Sequence, residues 1–419
     1  MRFALFLCTI LIAAAQPRVA VRAGRMLDIR EGRLLDDRMI VIENGEILSV
    51  MPAAQWKDDG STKVIDLRSK TVLPGLIDAH VHITSPSITT PGAGLMTSPA
   101  RAALMGARNA REILNAGFTM VRVLGAAGYS DVALRDAIEA GDVAGPRLLV
   151  AGYAICITGG HCDGTTTLPA EFKMEGPGAA DGPVGMERRV REQVKYGADV
   201  IKITATGGVL SARTDPRLPH MTQEEIEAVV RTAHGLGRKV ASHAHAAEGV
   251  RRSVEAGVDS IEHGHMMDDA AIALMKAKGT YLVPTVYLCE YNMENMAKSQ
   301  MPEFNKRKMK MVCDVGVENI RKAIKAGVKI AFGTDTPVFP HGLNAREFQA
   351  YVTLGMTPLQ SIRTATLAAA DLLGVSDKMG AIEVGKYGDL IAVDGNPLEN
   401  VRVLEQVKFV MKGGQVIKQ

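Results

Sequence analysis

The sequence predicts an α/β protein, a (β/α)8 TIM-type barrel with a small β-sandwich formed by both termini. Three observations carry this reading. Short β-rich runs alternate with amphipathic helical stretches through the middle of the chain, both ends share a strand-and-turn texture, and reactive side chains gather at the ends of the β-rich runs. At 419 residues the chain has room for one large barrel with an appendage or for two ordinary domains, so pattern and not length decides.

The chain opens with Arg2, an apolar run from Phe3 to Ala15, and small residues before Gln16. That run is too short to span a bilayer, and its charged start and Ala13-x-Ala15 end match a secretory signal over 1–15. Export to the periplasm or outside the cell is therefore expected. Cys8 lacks the small residue that a lipid-attachment site places before it. Of the other cysteines, Cys156, Cys162, Cys289 and Cys313, only Cys156 and Cys162 lie close enough in the sequence to suggest a pair.

From Val19 to Val50, apolar and polar residues alternate around Glu43-Asn44-Gly45-Glu46, a hairpin signal. Gly388 to Val393, Val407 to Met411 and Gly414 to Ile417 have the same texture. We assign 16–72 and 376–419 to the two parts of one β-sandwich, and 73–375 to the barrel. Eight runs supply its strands: Leu76 to Ile83, Phe118 to Leu124, Arg147 to Ile157, Val200 to Thr206, Lys239 to His245, Ser260 to His263, Tyr281 to Val286 and Lys329 to Asp335. Helical spacing fills the gaps, clearest in Met186 to Tyr196 and in Thr222 to Leu236, where Thr222 can cap and Glu225 follows three residues on.

Composition agrees: 47% hydrophobic, 23% charged and 42 glycines suit a globular α/β protein with tight strand-to-helix turns. A net charge of +3, spread along the chain with no basic stripe, argues against nucleic acid as a partner. Nothing after the N-terminal run resembles a membrane span.

A barrel of this kind keeps its active site at the C-terminal ends of the strands. His80 and His82, two apart in the first run, point to the same side and into the mouth. His243 stands near the end of the fifth run, His263 and Asp335 end the sixth and eighth, and Lys202 interrupts the apolar fourth. Singly, each has an ordinary alternative: a strand-end histidine satisfied by a polar neighbour, an aspartate capping a helix, a lysine whose stem is buried and whose ammonium reaches water. Together, imidazoles and a carboxylate converging on one mouth are what a divalent transition metal needs. Lys202 fits if burial neutralises its amine, because the neutral amine takes up carbon dioxide and becomes an anionic carbamate ligand.

The ordered set His80-x-His82, Lys202, His243, His263 and Asp335 resembles the binuclear-metal branch of the amidohydrolase superfamily. Leu73-Pro74-Gly75-Leu76-Ile77-Asp78-Ala79-His80-Val81-His82, Ser260-Ile261-Glu262-His263-Gly264 and Val384-Gly385-Lys386-Tyr387-Gly388-Asp389-Leu390 are similar to its imidazolonepropionase-related group, which includes metal-dependent prolidases and other dipeptidases. The resemblance spans nearly all of the chain after the signal.

It implies two divalent ions, zinc, one on His80, His82 and Asp335 and the other on His243 and His263, with carboxylated Lys202 between them. A metal-bridged hydroxide would attack an amide carbonyl, and Asp335 would pass its proton to the leaving nitrogen. His161, in Ile157-Thr158-Gly159-Gly160-His161-Cys162-Asp163, is the expected contact to the substrate carbonyl or carboxylate, with a loop-stabilising role as the alternative. The backbone of Thr206 to Ser211 could receive a carboxylate, and Arg213 beyond it could supply charge. Related dipeptidases carry an aromatic residue, often Tyr, where this chain has His220-Met221, so Met221 marks the substrate position that departs from the pattern.

The expected reaction is hydrolysis of dipeptides of Xaa-Pro or Xaa-Lys/Arg type. A second enzyme reading is an N-acyl amino acid or aryl amide hydrolase acting on ochratoxin-like amides, and a third is a non-catalytic metal-binding scaffold. Export and a strand-borne lysine fit imidazolonepropionase itself poorly. The expected partners are a small amide substrate and further copies of the same chain.

Overall fold

The structure, a computed structural model, describes residues 18–58, 60–86 and 93–419. The signal segment expected over 1–15 lies outside the described residues. Residues of both ends form β1 (Val19–Asp28), β2 (Arg33–Glu43), β3 (Glu46–Pro52) and β4 (Lys63–Pro74) before the central part of the chain, and three further strands after it. The central part holds β5 (Leu76–Val81), β6 (Phe118–Val123), β7 (Arg147–Val150), β8 (Val200–Thr204), β9 (Lys239–Ala246), β10 (Ser260–Met266) and β11 (Tyr281–Val283). The closing strands are β12 (Leu390–Val393), β13 (Phe409–Lys412) and β14 (Gln415–Lys418). Helices α1 (Pro99–Asn115), α2 (Ser130–Ala140), α3 (Gly182–Lys195), α4 (Gln223–Gly235), α5 (Ala247–Ala256) and α6 (Asp269–Lys278) connect the central strands. After β11 come α7 (Tyr287–Asn295), α8 (Glu303–Ala326) and α9 (Arg346–Thr353).

Where two facing layers are expected from the terminal segments, hydrogen bonding makes one seven-stranded sheet in the order β14, β13, β12, β4, β1, β2, β3. The reason is the length of β4. Its twelve residues pair with β1 in parallel as far as Val72 and with β12 antiparallel over Thr71 to Pro74, so the ladder never breaks between the two ends of the chain. The register shifts between Ala23 and Arg25, where a Cβ on Gly24 would stand 1.9 Å from the Arg68 carbonyl oxygen. Ile47 of β3 and Phe409 and Met411 of β13, far apart in the strand order, share one buried core with Val21, Ile40, Ile65 and Leu390, so the sheet curls on itself. The β2–β3 turn is the expected hairpin, with Asn44 and Gly45 both at positive φ.

The central strands are parallel and fall into two sheets, β5-β6-β7 and β8-β9-β10-β11. Isolated parallel bridges run between them: Ile155 to Ile203 on one side, and Leu282 to Ile330 and Val81 to Thr336 on the other. The run from Lys329 to Asp335 is not a continuous strand. Phe332 N–H donates to the Thr364 carbonyl, so this stretch bonds to its neighbours only intermittently. The capping box at the start of α4 forms as the sequence suggests: Thr222 Oγ1 accepts from Glu225 N–H at 3.3 Å, and the Glu225 carboxylate accepts from Thr222 N–H at 2.9 Å.

Cys156 and Cys162 form a disulfide, and so do Cys289 and Cys313. The second pair corrects the expectation that only the first two could meet. Cys289 lies in the first turn of α7 and Cys313 in the middle of α8, and packing of the two helices closes a sequence gap of 24. Among the described residues, no helix is long and apolar enough to cross a membrane.

Candidate functional site

Strand alternation turns both His80 and His82 of the β5 edge inward, toward Asp335. His80 Nε2 and His82 Nε2 lie 3.3 and 3.2 Å from the same Asp335 oxygen, Oδ1. Donor atoms of these three side chains all fall within 4.8 Å of one another, a spacing that suits one metal ion. Burial by itself pushes the Asp335 carboxyl up, but the two imidazoles reverse that and hold it well below the usual carboxylate range. The ring orientations are fixed from behind. His82 Nδ1–H points to the Gly125 carbonyl at 3.2 Å, and His80 Nδ1–H donates to Glu262 Oε2 at 2.8 Å. Each ring therefore turns Nε2, the nitrogen that a metal ion would take, toward Asp335.

Glu262 belongs to a buried polar layer beneath the mouth. Its other oxygen accepts from Arg122 Nη2 at 2.8 Å and from Ser260 Oγ at 2.6 Å, while Arg122 Nε donates to the Ala79 carbonyl at 2.6 Å. Burial raises the Glu262 carboxyl, yet the Arg122 charge and the His80 bond bring it down to about 2. Asp78 serves the opposite wall: it accepts from Thr334 Oγ1 at 2.6 Å and Asn344 Nδ2 at 2.8 Å, and so ties β5 to the segment that presents Asp335.

His243 and His263 meet edge to face with ring centroids 4.7 Å apart, and His263 lies 5.0 Å from His80 by the same measure. In a regular strand Glu262 and His263 would point to opposite sides. A φ of 73° at His263 breaks the alternation and lets both turn inward, as a φ of 62° does for Asp335 beside Thr334. Lys202, 3% exposed, brings its Nζ into this group, and among the described residues that amine has no hydrogen-bond partner. Burial lowers it to about 8 against the opposing pull of Glu262 and Asp335. An unpartnered, easily neutralised amine near Asp335, His243 and His263 has the chemistry that a carbamate ligand requires. The six side chains read from the sequence as metal ligands are thus brought to one place by four strands and the Asp335 segment.

The remaining expected contacts separate. His161 stacks on His243 at 4.3 Å and its Nδ1 lies 2.8 Å from Ser211 Oγ. Burial first, then the Lys202 charge, lowers its imidazole to about 3, so it is neutral. A Cβ on Gly208 would strike the His161 ring at 2.3 Å, which explains the glycine there. Arg213 is exposed and, with Thr158, Gly159, Asp163 and Arg188, lines a cavity of about 720 Å³ whose lining includes none of the six ligands. Met221 has no exposed surface and is packed in the main core. Its neighbour His220 is the one whose charge would be felt by His161, and His220 Nδ1 is buried without a partner among the described residues.

Sequence reasoning passed over His245 and His265, two residues beyond His243 and His263. Their rings stack 5.4 Å apart, and His245 lies 4.7 Å from His243. The same two-residue spacing that singled out His80 and His82 marks both. It also passed over Arg122, whose partners lie 43 to 140 residues away.

A family model described as the amidohydrolase family matches residues 71–417. A solved structure of a Xaa-Pro dipeptidase with methionine bound in its active site is 40% identical, with a TM-score of 0.91 over 96% of this chain and all of that one. A prolidase solved with N-methylphosphonate-L-proline is 32% identical, with a TM-score of 0.87 over 96% of this chain and all of that one. The ochratoxinase of Aspergillus niger is 34% identical over 373 residues, 84% of this chain and 76% of the ochratoxinase.

Proposed function

Because the chain belongs to the amidohydrolase family, we propose that it is a binuclear metal-dependent hydrolase that cleaves the amide bond of dipeptides, those with C-terminal proline first. The observation that carries this reading is the convergence of His80, His82 and Asp335 with His243, His263 and an unpartnered Lys202 amine. The 40% identity to a Xaa-Pro dipeptidase supports the choice of substrate. Carboxylation of Lys202 joins the amine nitrogen to the carbon of carbon dioxide and releases one proton. When bound, two zinc ions would supply a water acidic enough to attack at neutral pH and a Lewis acid for the carbonyl. His80, His82 and Asp335 would hold one, His243 and His263 the other, with the Lys202 carbamate between them.

Asp335, kept ionised by its imidazole neighbours, accepts the proton given up by water and returns it to the departing nitrogen. The acyl carbon gains the hydroxyl, the C–N bond breaks, and the products are a carboxylic acid and an amine. His161, neutral and beside His243, can donate a hydrogen bond to the substrate through Nε2 while Nδ1 is engaged by Ser211.

The 34% identity to ochratoxinase favours one second reading, an N-acyl amino acid or aryl amide substrate. A non-catalytic scaffold is disfavoured because no member of the ligand set is missing. The isolated bridges at Ile155, Ile330 and Thr336 support a closed barrel over 73–375, flanked by 16–72 and 376–419. Two disulfides support export to an oxidising compartment.

The test is a dipeptide library presented to protein loaded with zinc and bicarbonate, beside Lys202→Ala. Preference for Xaa-Pro, lost in the variant, is the expected result. Turnover of N-acyl amino acids alone would move the assignment to the second reading.

A further inference from the structure

The polypeptide just before α7 passes through Thr285, a β-branched residue at φ 48°, in the left-handed region that such residues rarely occupy. Two contacts hold it there. Ahead of it, the Pro284 carbonyl accepts from His265 Nε2–H at 2.9 Å. Behind it, Glu347 of α9 receives the first free N–H groups of α7, Oε1 from Val286 and Oε2 from Tyr287, each at 2.6 Å. Neither Glu347 nor Thr285 has any exposed surface, so water does not compete for these bonds. The disulfide at Cys289 secures the same helical turn to α8.

What this clamp delivers is a hydroxyl. Thr285 Oγ1 lies 2.8 Å from His263 Nδ1. A hydroxyl that accepts from Nδ1–H leaves Nε2 with its lone pair free, the tautomer a metal ligand requires. His263 itself sits at φ 73°, so its own backbone does not hold the ring by regular strand geometry.

We propose that Glu347 is a positioning residue for the metal site, acting through Thr285 to fix the tautomer and orientation of His263. The inference rests on the reading of His263 as a metal ligand given above. It assigns a role to a buried carboxylate on a different element from every ligand, one that neither touches substrate nor binds metal.

The measurement is zinc affinity of the full chain, by competition with a chromophoric chelator, for Thr285→Val, Thr285→Ser, Glu347→Gln and the Thr285→Val/Glu347→Gln pair, with His263→Ala as reference. Valine keeps the shape and removes the hydroxyl; glutamine turns an N–H₂ toward one of the two N–H donors. Each of these two variants should weaken the more weakly held zinc by about 10- to 100-fold, and Thr285→Ser should restore it. If Glu347 acts through Thr285, the double variant is no weaker than the stronger single one. Additive losses, or a Thr285→Val protein that binds zinc like the parent, would overturn the proposal while leaving the ligand reading intact. A lowered melting temperature of the metal-free protein with zinc affinity unchanged would show a structural role only and overturn it equally. Unchanged affinity in His263→Ala would overturn the ligand reading and the proposal together. Should Glu347→Gln fail to fold, Thr285→Val against Thr285→Ser still decides whether the hydroxyl sets zinc affinity, and equal affinity there would overturn the proposal.

Discussion

Glu262 Oε2 stands 2.8 Å from His80 Nδ1, with both side chains out of reach of solvent. Replacing Glu262 by Gln keeps the volume but removes the charge that fixes the His80 tautomer and balances Arg122. Zinc affinity should fall by about 10- to 100-fold. Glu262→Ala, which leaves the buried Arg122 guanidinium without a counter-charge, should cost about 3–5 kcal/mol of stability. Chelator competition and urea unfolding read the two effects separately, and a Gln variant with parental zinc affinity would remove Glu262 from the site.

Lys202 gives the metal-free protein a signature in alkali. Its amine titrates at about 8 in the folded chain against 10.5 in the unfolded one. The unfolded state therefore holds the extra proton between those values, and stability rises with pH across that window, by about 3 kcal/mol in all. Below pH 8 both states are protonated and the cost of the buried charge is in full force. With metal and carbon dioxide excluded, Lys202→Met should be more stable than the parent at pH 7, and the gap should close as pH approaches 10.5. Denaturant unfolding at pH steps checks this; a gap independent of pH would mean that the amine is not perturbed.

The disulfide between Cys289 and Cys313 spans 24 positions and that between Cys156 and Cys162 spans 6. Loop-closure entropy then makes the first the more stabilising, at about 3.5 kcal/mol against about 2. Peptide mapping of unreduced protein should recover both pairs. Cys289→Ser/Cys313→Ser should lower the melting temperature more than Cys156→Ser/Cys162→Ser does.

Met221 is packed against the core, and His220 lies within electrostatic reach of His161. Met221→Tyr should therefore destabilise by about 1–3 kcal/mol through overpacking and leave substrate preference unchanged. His220→Ala should alter KM with little change in melting temperature. A Tyr variant of parental stability with a gained dipeptide preference would return position 221 to the substrate.

Much of the site is legible in the sequence because ligands on parallel strands obey simple rules. Two-residue spacing marks His80 and His82, and placement at the ends of β-rich runs marks His243 and His263. The rules fail where the backbone departs from a regular strand. A φ of 73° at His263 puts Glu262 on the same side as its neighbour, which alternation forbids, so Glu262 reads as scenery. Arg122 looks like any strand residue until the fold brings it to Glu262 across 140 positions.

At the chain ends, strand texture is visible in residues 19–50 and again from Gly388 onward, but texture does not say how strands pair. The single sheet depends on β4 pairing with both β1 and β12, a tertiary fact. The disulfide between Cys289 and Cys313 is hidden for the same reason, since only the packing of α7 on α8 joins them.

Metal content per chain, determined by elemental analysis on protein prepared with zinc and bicarbonate and freed of loosely held ions, decides whether the site is binuclear. Two ions are expected in the parent, with loss of at least one in Lys202→Ala and in His263→Ala. No more than one ion in the parent, or two ions retained without Lys202, would contradict the proposed site.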